Sequence, residues 1–372
     1  MGDLVQTLPA LTDAARAIPG ITFDWVVDES FAQVPAWHQN VDSVIPSAFR
    51  RWRKNWRQAL KSREPQEFLR KVRSQKYDLV IDVQCELKSA LASRLARGVR
   101  CGYDSRAVHE WGAQFAYQKK FFVPKDRHSI QRMRQLMASA LGYEYAEHEI
   151  DYGIDRARLG PVSIKLPERF LVFIHSTSWA SKCWPEFYWQ DLARKAISAG
   201  FSVVLPWGDE AEHERALRIA NGHDGVIVLP PLSISEKAAI INSACATVGL
   251  DTGLSHIAAA LDIGSVTIYG ATDPLLVGAA GKHQIHMVSG FECVACHDTQ
   301  CTYTGVAEFK PACLVEITPD NVWQKLEFLS LKAVGTPYSN RAPGSDMCEN
   351  SQVGKGSSEA KPPLQRSVLR SP

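Results

Sequence analysis

The run Val248-Gly249-Leu250-Asp251-Thr252-Gly253-Leu254-Ser255-His256-Ile257-Ala258-Ala259-Ala260 holds residue types that suit an anion. An apolar stretch over 244–250 reads as a buried parallel strand, and the polar turn after it leads into an apolar-periodic helix. The first N–H groups of a helix lack partners and its dipole end is positive, so such a junction attracts phosphate. Thr252 and Gly253 let the backbone approach closely, and Ser255 and His256 add side-chain donors. The plain alternative is an ordinary strand-to-helix turn capped by Asp251 or Thr252. A second constellation follows the apolar run 170–174: His175-Ser176-Thr177-Ser178-Trp179-Ala180-Ser181-Lys182-Cys183-Trp184-Pro185. Hydroxyls and backbone can donate to a diphosphate there, and the Lys182 ammonium can balance its charge. A solvated surface lysine is the competing reading. Two phosphate-suited loops in one half point to a nucleotide diphosphate.

Two further clusters stand apart. Residues 49–63 carry Arg50, Arg51, Arg53, Lys54, Arg57, Lys61 and Arg63, with Trp52 and Trp56 between them. As a helix this is a basic face with aromatic edges, suited to an anionic membrane surface or an anionic acceptor. A solvated helix with its tryptophans packed on a sheet is the alternative. Nucleic-acid binding is disfavoured, because no recognised motif is present and the net charge is only +2. Cys293, Cys296, Cys301 and Cys313 have a spacing that can hold zinc, although one close pair with irregular followers is only moderately specific.

The elements that must position these residues alternate. Strand patterns fall at 23–27, 79–83, 170–174, 202–205, 225–229, 246–250 and 265–269. Helical patterns fall at 87–97, 189–199, 210–220 and 235–243. This alternation predicts an α/β fold with parallel sheets, its second half Rossmann-like. A chain of 372 residues suits two domains. The boundary is expected within 151–167, where Gly160-Pro161 and Pro167 interrupt the pattern. Residues 333–372 are poor in apolar side chains and are expected to be a disordered tail. No run reaches the roughly 20 apolar residues of a membrane span, and no basic-then-apolar leader opens the sequence. Scattered cysteines fit a reducing cytosol.

Several of these motifs together resemble the lipopolysaccharide heptosyltransferases, glycosyltransferase family 9. They are the run from Asp251 to Tyr269-Gly270-Ala271-Thr272-Asp273-Pro274, Met1-Gly2-Asp3 with Thr7-Leu8-Pro9-Ala10, and Leu79-Val80-Ile81-Asp82-Val83-Gln84 with Leu87-Lys88-Ser89-Ala90. Lys182-Cys183-Trp184-Pro185-Glu186 and Pro206-Trp207-Gly208 resemble the branch that adds the first heptose. The resemblance implies a GT-B fold, with two Rossmann-like domains facing across a cleft. Residues 1–155 would bind the acceptor, Kdo-lipid A, and residues 156–332 the donor, ADP-heptose. The reaction would be inverting transfer of heptose to the first Kdo, with no metal and no cofactor, at the cytoplasmic face of the inner membrane. By the same resemblance Asp3 is the general base, Thr177, Ser178 and Lys182 form the diphosphate loop, and Glu212 holds the ribose. Asp251, Thr252, Gly253 and His256 grip the diphosphate and sugar, and Arg50, Arg51, Arg53, Lys54 and Arg57 meet the acceptor. Asp3 also fits a helix N-cap. Two alternatives are a transferase for an already heptosylated core and a nucleotide-sugar-binding pseudoenzyme.

The sequence departs from the family at three places that bear on structure. The family opens with an apolar strand and a Ser/Thr loop before Met-Gly-Asp, whereas this sequence starts at that motif. A central strand of the N-terminal sheet is therefore expected to be missing, with its neighbours' backbone groups unpaired. Met1 is read as an internal methionine or the chain as truncated. Cys85 stands where a glycine is usual and is expected to carry a steric cost. His109, Glu110 and Trp111 replace an Arg-Glu-Pro motif.

Overall fold

The computed structural model describes residues 1–147 and 149–334. In the N-terminal half the order is α1 (Gly2–Ala17), β1 (Phe23–Asp28), α2 (Gln33–Ala36), β2 (Val41–Ser47), α3 (Phe49–Lys54), α4 (Trp56–Lys61), α5 (Glu64–Val72), β3 (Lys76–Ile81), α6 (Leu87–Leu95), β4 (Arg97–Tyr103), β5 (Lys119–Phe121) and α7 (Ser129–Leu141). The C-terminal half runs β6 (Phe170–Ile174), α8 (Glu186–Ser198), β7 (Ser202–Leu205), α9 (Glu210–Ala220), β8 (Val226–Val228), α10 (Ile234–Ser243), β9 (Ala246–Leu250), α11 (Gly253–Ala260), β10 (Ser265–Tyr269), α12 (Pro274–Val277), β11 (Gln284–Val288) and α13 (Pro319–Val334). The tail expected from residue 333 lies, from 335 onward, outside the described residues.

The C-terminal sheet has the order β11-β10-β9-β6-β7-β8, all parallel. This is the doubly wound order, and its direction reverses between β6 and β9. Every residue of β6, β9 and β10 is buried, because helices cover both faces. Helix starts are fixed by local bonds: Asp209 accepts from the Glu212 N–H at α9, and Ser233 with Glu236 forms a capping box at α10.

The N-terminal strands form two separate parallel sheets, β1-β2 and β3-β4-β5. Together they follow the same wound order with one position vacant between β1 and β3. A cavity of about 890 Å³ lies there, lined by Trp25, Val27, Leu79, Ile81 and, from α1, Leu11. Side chains reach across it: Tyr77 Oη and Gln75 Nε2 both donate to Asp24 Oδ2, at 2.8 and 2.7 Å. Helix α1 roofs the gap. Leu11 and Ala14 share a core with Val41, Phe23 and Ile81, which belong to both sheets. Full burial of a side chain such as Leu11 or Val41 contributes about 1.5–3 kcal/mol. The buried pair Arg134 Nε–Asp13 Oδ2, 2.5 Å, ties α1 to α7.

Cys85 adopts φ +50° in the turn after β3, where its Sγ donates to Asp82 O and its N–H to Asp82 Oδ1. The expected steric cost is therefore present. Burial pushes this thiol up to about 12.

Filling the vacant position is expected to stabilise the N-terminal half. An N-terminal extension carrying an apolar segment of about five residues should raise Tm and the urea midpoint relative to the 372-residue chain. Unchanged values would show that the gap does not accept a strand.

Candidate active site

The carboxyl ends of β6 and β9 meet where the wound sheet reverses, the usual ligand crevice of such sheets. The loop after β6 brings Lys182 there and the turn after β9 brings Asp251. Lys182 Nζ stands 2.7 Å from Asp251 Oδ2, with side chains 12% and 8% exposed. Thr272 Oγ1, after β10, donates to the same oxygen at 2.6 Å. His256 Nε2, in α11, lies 3.6 Å from Asp251 Oδ1. Burial opposes the carboxylate charge of Asp251, but His256 and the Lys182 ammonium outweigh it and hold the carboxyl well below the usual range. The ammonium also lies 4.2 Å from the centre of the Trp179 ring.

Gly253 opens α11, and Thr252 is its cap without a side-chain bond. A helix start of this kind attracts anions in general. A Cβ on Gly253 would come within 2.8 Å of Met1 Cβ, so only glycine fits. Ser255 is not a free donor. It is fully buried, and its Oγ donates to Leu250 O at 2.6 Å, closing the strand end. Thr177 Oγ1 donates to Asp251 O at 3.3 Å, while Ser178 is exposed. His175 is buried beside Ser176 Oγ, 2.7 Å away, and burial lowers its pKa to about 3, so it is neutral.

Glu212 lies one turn into α9, with Oε2 accepting from the Gly208 N–H at 2.6 Å. Burial raises its pKa, against the pull of that N–H. The neighbouring Trp207 ring stacks on His213 at 4.4 Å.

On the facing half, Asp3 is exposed in the first turn of α1. Met1 is the N-cap, so Asp3 is not a cap, although its charge still suits the helix start. The N-termini of α1 and α11 abut: a Cβ on Gly2 would sit 3.0 Å from His256 Cδ2. Gln6 Nε2 lies 3.5 Å from His256 Nδ1 and donates to Val277 O at 2.9 Å. Asp3, Arg50, Asp28, Glu86 and Lys88 line one cleft. Burial chiefly lowers the pKa of the Met1 amino group, and the charges of Asp3, Arg50, Asp28 and Lys88 act on it as well. Sequence reasoning singled out neither Lys88 nor Thr272 for this site, although both sit inside recognised motifs.

The basic stretch differs from expectation. It forms two short helices broken at Asn55, φ −124°. Arg51 is bound to Glu29 and Glu64, each at 2.9 Å, and Trp52 packs edge-on against Phe49 and Phe68. Arg50 reaches the cleft, 3.5 Å from Asp28, while Arg53, Lys54 and Arg57 face solvent.

Among the described residues, no three His, Cys, Asp or Glu side chains stand close enough to hold a metal, the four cysteines at 293–313 included. Their loop instead braces the Lys182 loop. Ser181 N–H donates to Thr299 O at 3.2 Å, and Ser181 Oγ donates to Asp298 O at 2.5 Å.

Residues 66–307 match the family described as Glycosyltransferase family 9 (heptosyltransferase). Lipopolysaccharide heptosyltransferase 1 of Pseudomonas aeruginosa is 44% identical over 341 residues, 89% of this chain and 96% of that protein. The structure of E. coli heptosyltransferase WaaC with ADP superposes with a TM-score of 0.77 at 39% identity, covering 88% of this chain and 96% of that one. The same enzyme with ADP-2-deoxy-2-fluoro heptose gives 0.74 at 39%, with the same coverage.

The Asp251 network has a pH signature. Its folded pKa is depressed, so the stability it confers is complete above the unfolded value of about 3.9 and is lost as pH falls through the folded value. Lys182→Met should destabilise by ~3 kcal/mol at pH 7, and that difference should shrink below about pH 4. Urea midpoints across pH measure it; a difference independent of pH would contradict the pairing.

Proposed function

Because the chain belongs to glycosyltransferase family 9, the heptosyltransferases, we propose that it transfers L-glycero-D-manno-heptose from ADP-heptose to the first Kdo of Kdo-lipid A, with inversion. The observation that carries this reading is the convergence of Lys182, Asp251 and the α11 start at the reversal of the sheet, against the Asp3 end of α1. Relatives 44% and 39% identical carry the names heptosyltransferase 1 and WaaC, and WaaC was solved with ADP and with a fluoro analogue of ADP-heptose.

In this reading the half over 156–332 binds the donor. Lys182, Thr177, Ser178 and the N–H groups at Thr252 and Gly253 meet the diphosphate. Asp251 and His256 hold the sugar, and Glu212 takes the ribose hydroxyls. The half over 1–155 binds the acceptor, whose carboxylates and phosphates face Arg50 and Lys88. Arg53, Lys54 and Arg57 lie on the outer basic face, and Arg51 supports them through its acidic partners.

The acceptor hydroxyl attacks the anomeric carbon as Asp3 takes its proton. The bond from that carbon to the phosphate oxygen breaks, and ADP leaves with the electron pair. Charge on the departing phosphate falls on Lys182 and the α11 dipole, which are already oriented. Asp251 keeps Lys182 charged and aimed. No described helix is long and apolar enough to cross a membrane, and the enzyme acts peripherally at the cytoplasmic face of the inner membrane.

The gap between β1 and β3 favours one other reading, donor binding without transfer. Asp3→Ala is expected to lower transfer by about 10²–10⁴-fold with ADP affinity nearly unchanged, whereas Lys182→Ala weakens both. Calorimetric ADP binding together with a heptose-transfer assay checks this. Binding without transfer, even in a chain extended to fill the gap, would establish the second reading.

A further inference from the structure

Four large apolar side chains stand in water on one face of the N-terminal half: Trp111 at 78% exposure, Phe115 at 66%, Leu87 at 57% and Leu91 at 55%. They are neighbours. Leu87 and Leu91 are one turn apart on α6. Leu87 Cδ2 lies 3.4 Å from where a Cβ would stand on Gly112, and its N–H donates to Glu110 Oε2 at 2.7 Å. The Trp111 and Phe115 rings meet edge to face at 5.9 Å. None of the four enters the core beneath, which Ala90, Ala113, Ala116 and Tyr117 fill.

The segment that bears the patch is net cationic. Lys120 Nζ lies 6.0 Å from the Phe115 ring centre. From Glu86 to Phe122 the chain carries seven Lys and Arg against three Asp and Glu, although the whole chain is nearly neutral. An apolar cluster with aromatic rings on a net-basic segment, with Lys120 beside it, matches the boundary of an anionic bilayer, where rings sit at headgroup depth and ammonium groups meet phosphates. The place also fits. The helix bearing Leu87 starts at the cleft mouth, where Glu86, Lys88 and Asp3 line the same cavity.

We infer that Leu87, Leu91, Trp111 and Phe115 form a docking patch that seats in an anionic lipid interface and sets the cleft beside the membrane. This deepens the proposed function, since it rests on an acceptor held in a lipid leaflet. It also moves the membrane contact away from the basic helices α3 and α4, whose Trp52 is committed to internal packing.

Flotation of the full chain with vesicles of phosphatidylcholine plus phosphatidylglycerol tests it, against vesicles of phosphatidylcholine alone. The intact chain should float with the anionic vesicles. The double variant Trp111→Ser, Phe115→Ser should partition about tenfold less, with ADP affinity and transfer to a water-soluble, deacylated Kdo acceptor unchanged. Three results would overturn the inference: equal partition of the variant, loss of partition only on Arg53→Ala, Lys54→Ala, Arg57→Ala, or a dimer by light scattering that the double variant abolishes while vesicles go unbound. Failure of transfer to the soluble acceptor in the intact chain would instead overturn the proposed reaction, with flotation still deciding the patch.

Discussion

A buried carboxylate must be answered by charge, and Asp251 is answered from three directions. Lys182 arrives on the loop after β6, Thr272 on the loop after β10, and His256 from the helix that follows Asp251 itself. Lys182 and Thr272 are distant from Asp251 in sequence and meet it because β6, β9 and β10 lie side by side. Desolvation makes each unmet charge costly, so the carboxylate locks the three loops around the crevice. The same ammonium that compensates Asp251 faces the place proposed for the diphosphate. A phosphate arriving there joins an ion pair already built, and Lys182 needs no reorganisation to receive it. Behind the loop, Ser181 is held by the backbone at 298 and 299.

The facing half is built under a different constraint. Its sheet is divided, and continuity is supplied by α1 lying across the gap, by two donors from β3's vicinity on Asp24, and by the Arg134–Asp13 pair. The end of α1 that carries Asp3 is thus fixed mainly by side-chain packing. Backbone hydrogen bonding would hold it more stiffly.

Much of the C-terminal half was legible in the sequence, for a physical reason. Strands buried on both faces are continuous apolar runs, so 170–174, 202–205, 246–250 and 265–269 are read with their observed limits. The strands β2, β4 and β5 were not legible. Val41-Asp42-Ser43-Val44-Ile45-Pro46-Ser47 mixes charge and proline, Arg97 and Arg100 interrupt β4, and Lys119-Lys120-Phe121 is too short for a period. At the site, residue types identified Lys182, Asp251 and His256, but not that they pair with one another. Ser255 and Arg51 had the right chemistry and are spent on structural bonds instead. Trp111 and Phe115 project from a loop and a short 3-10 turn, where no periodicity marks them.

Helix α1 belongs to both halves at once. Leu4, Val5 and Leu8 share one apolar cluster with Phe170, Val172, Ile174 and Ile257, across the line that would otherwise divide the molecule. Two lobes swinging apart like a clam would have to expose that cluster to water. The shared cluster therefore sets a hydrophobic cost on any separation of the two halves at this seam.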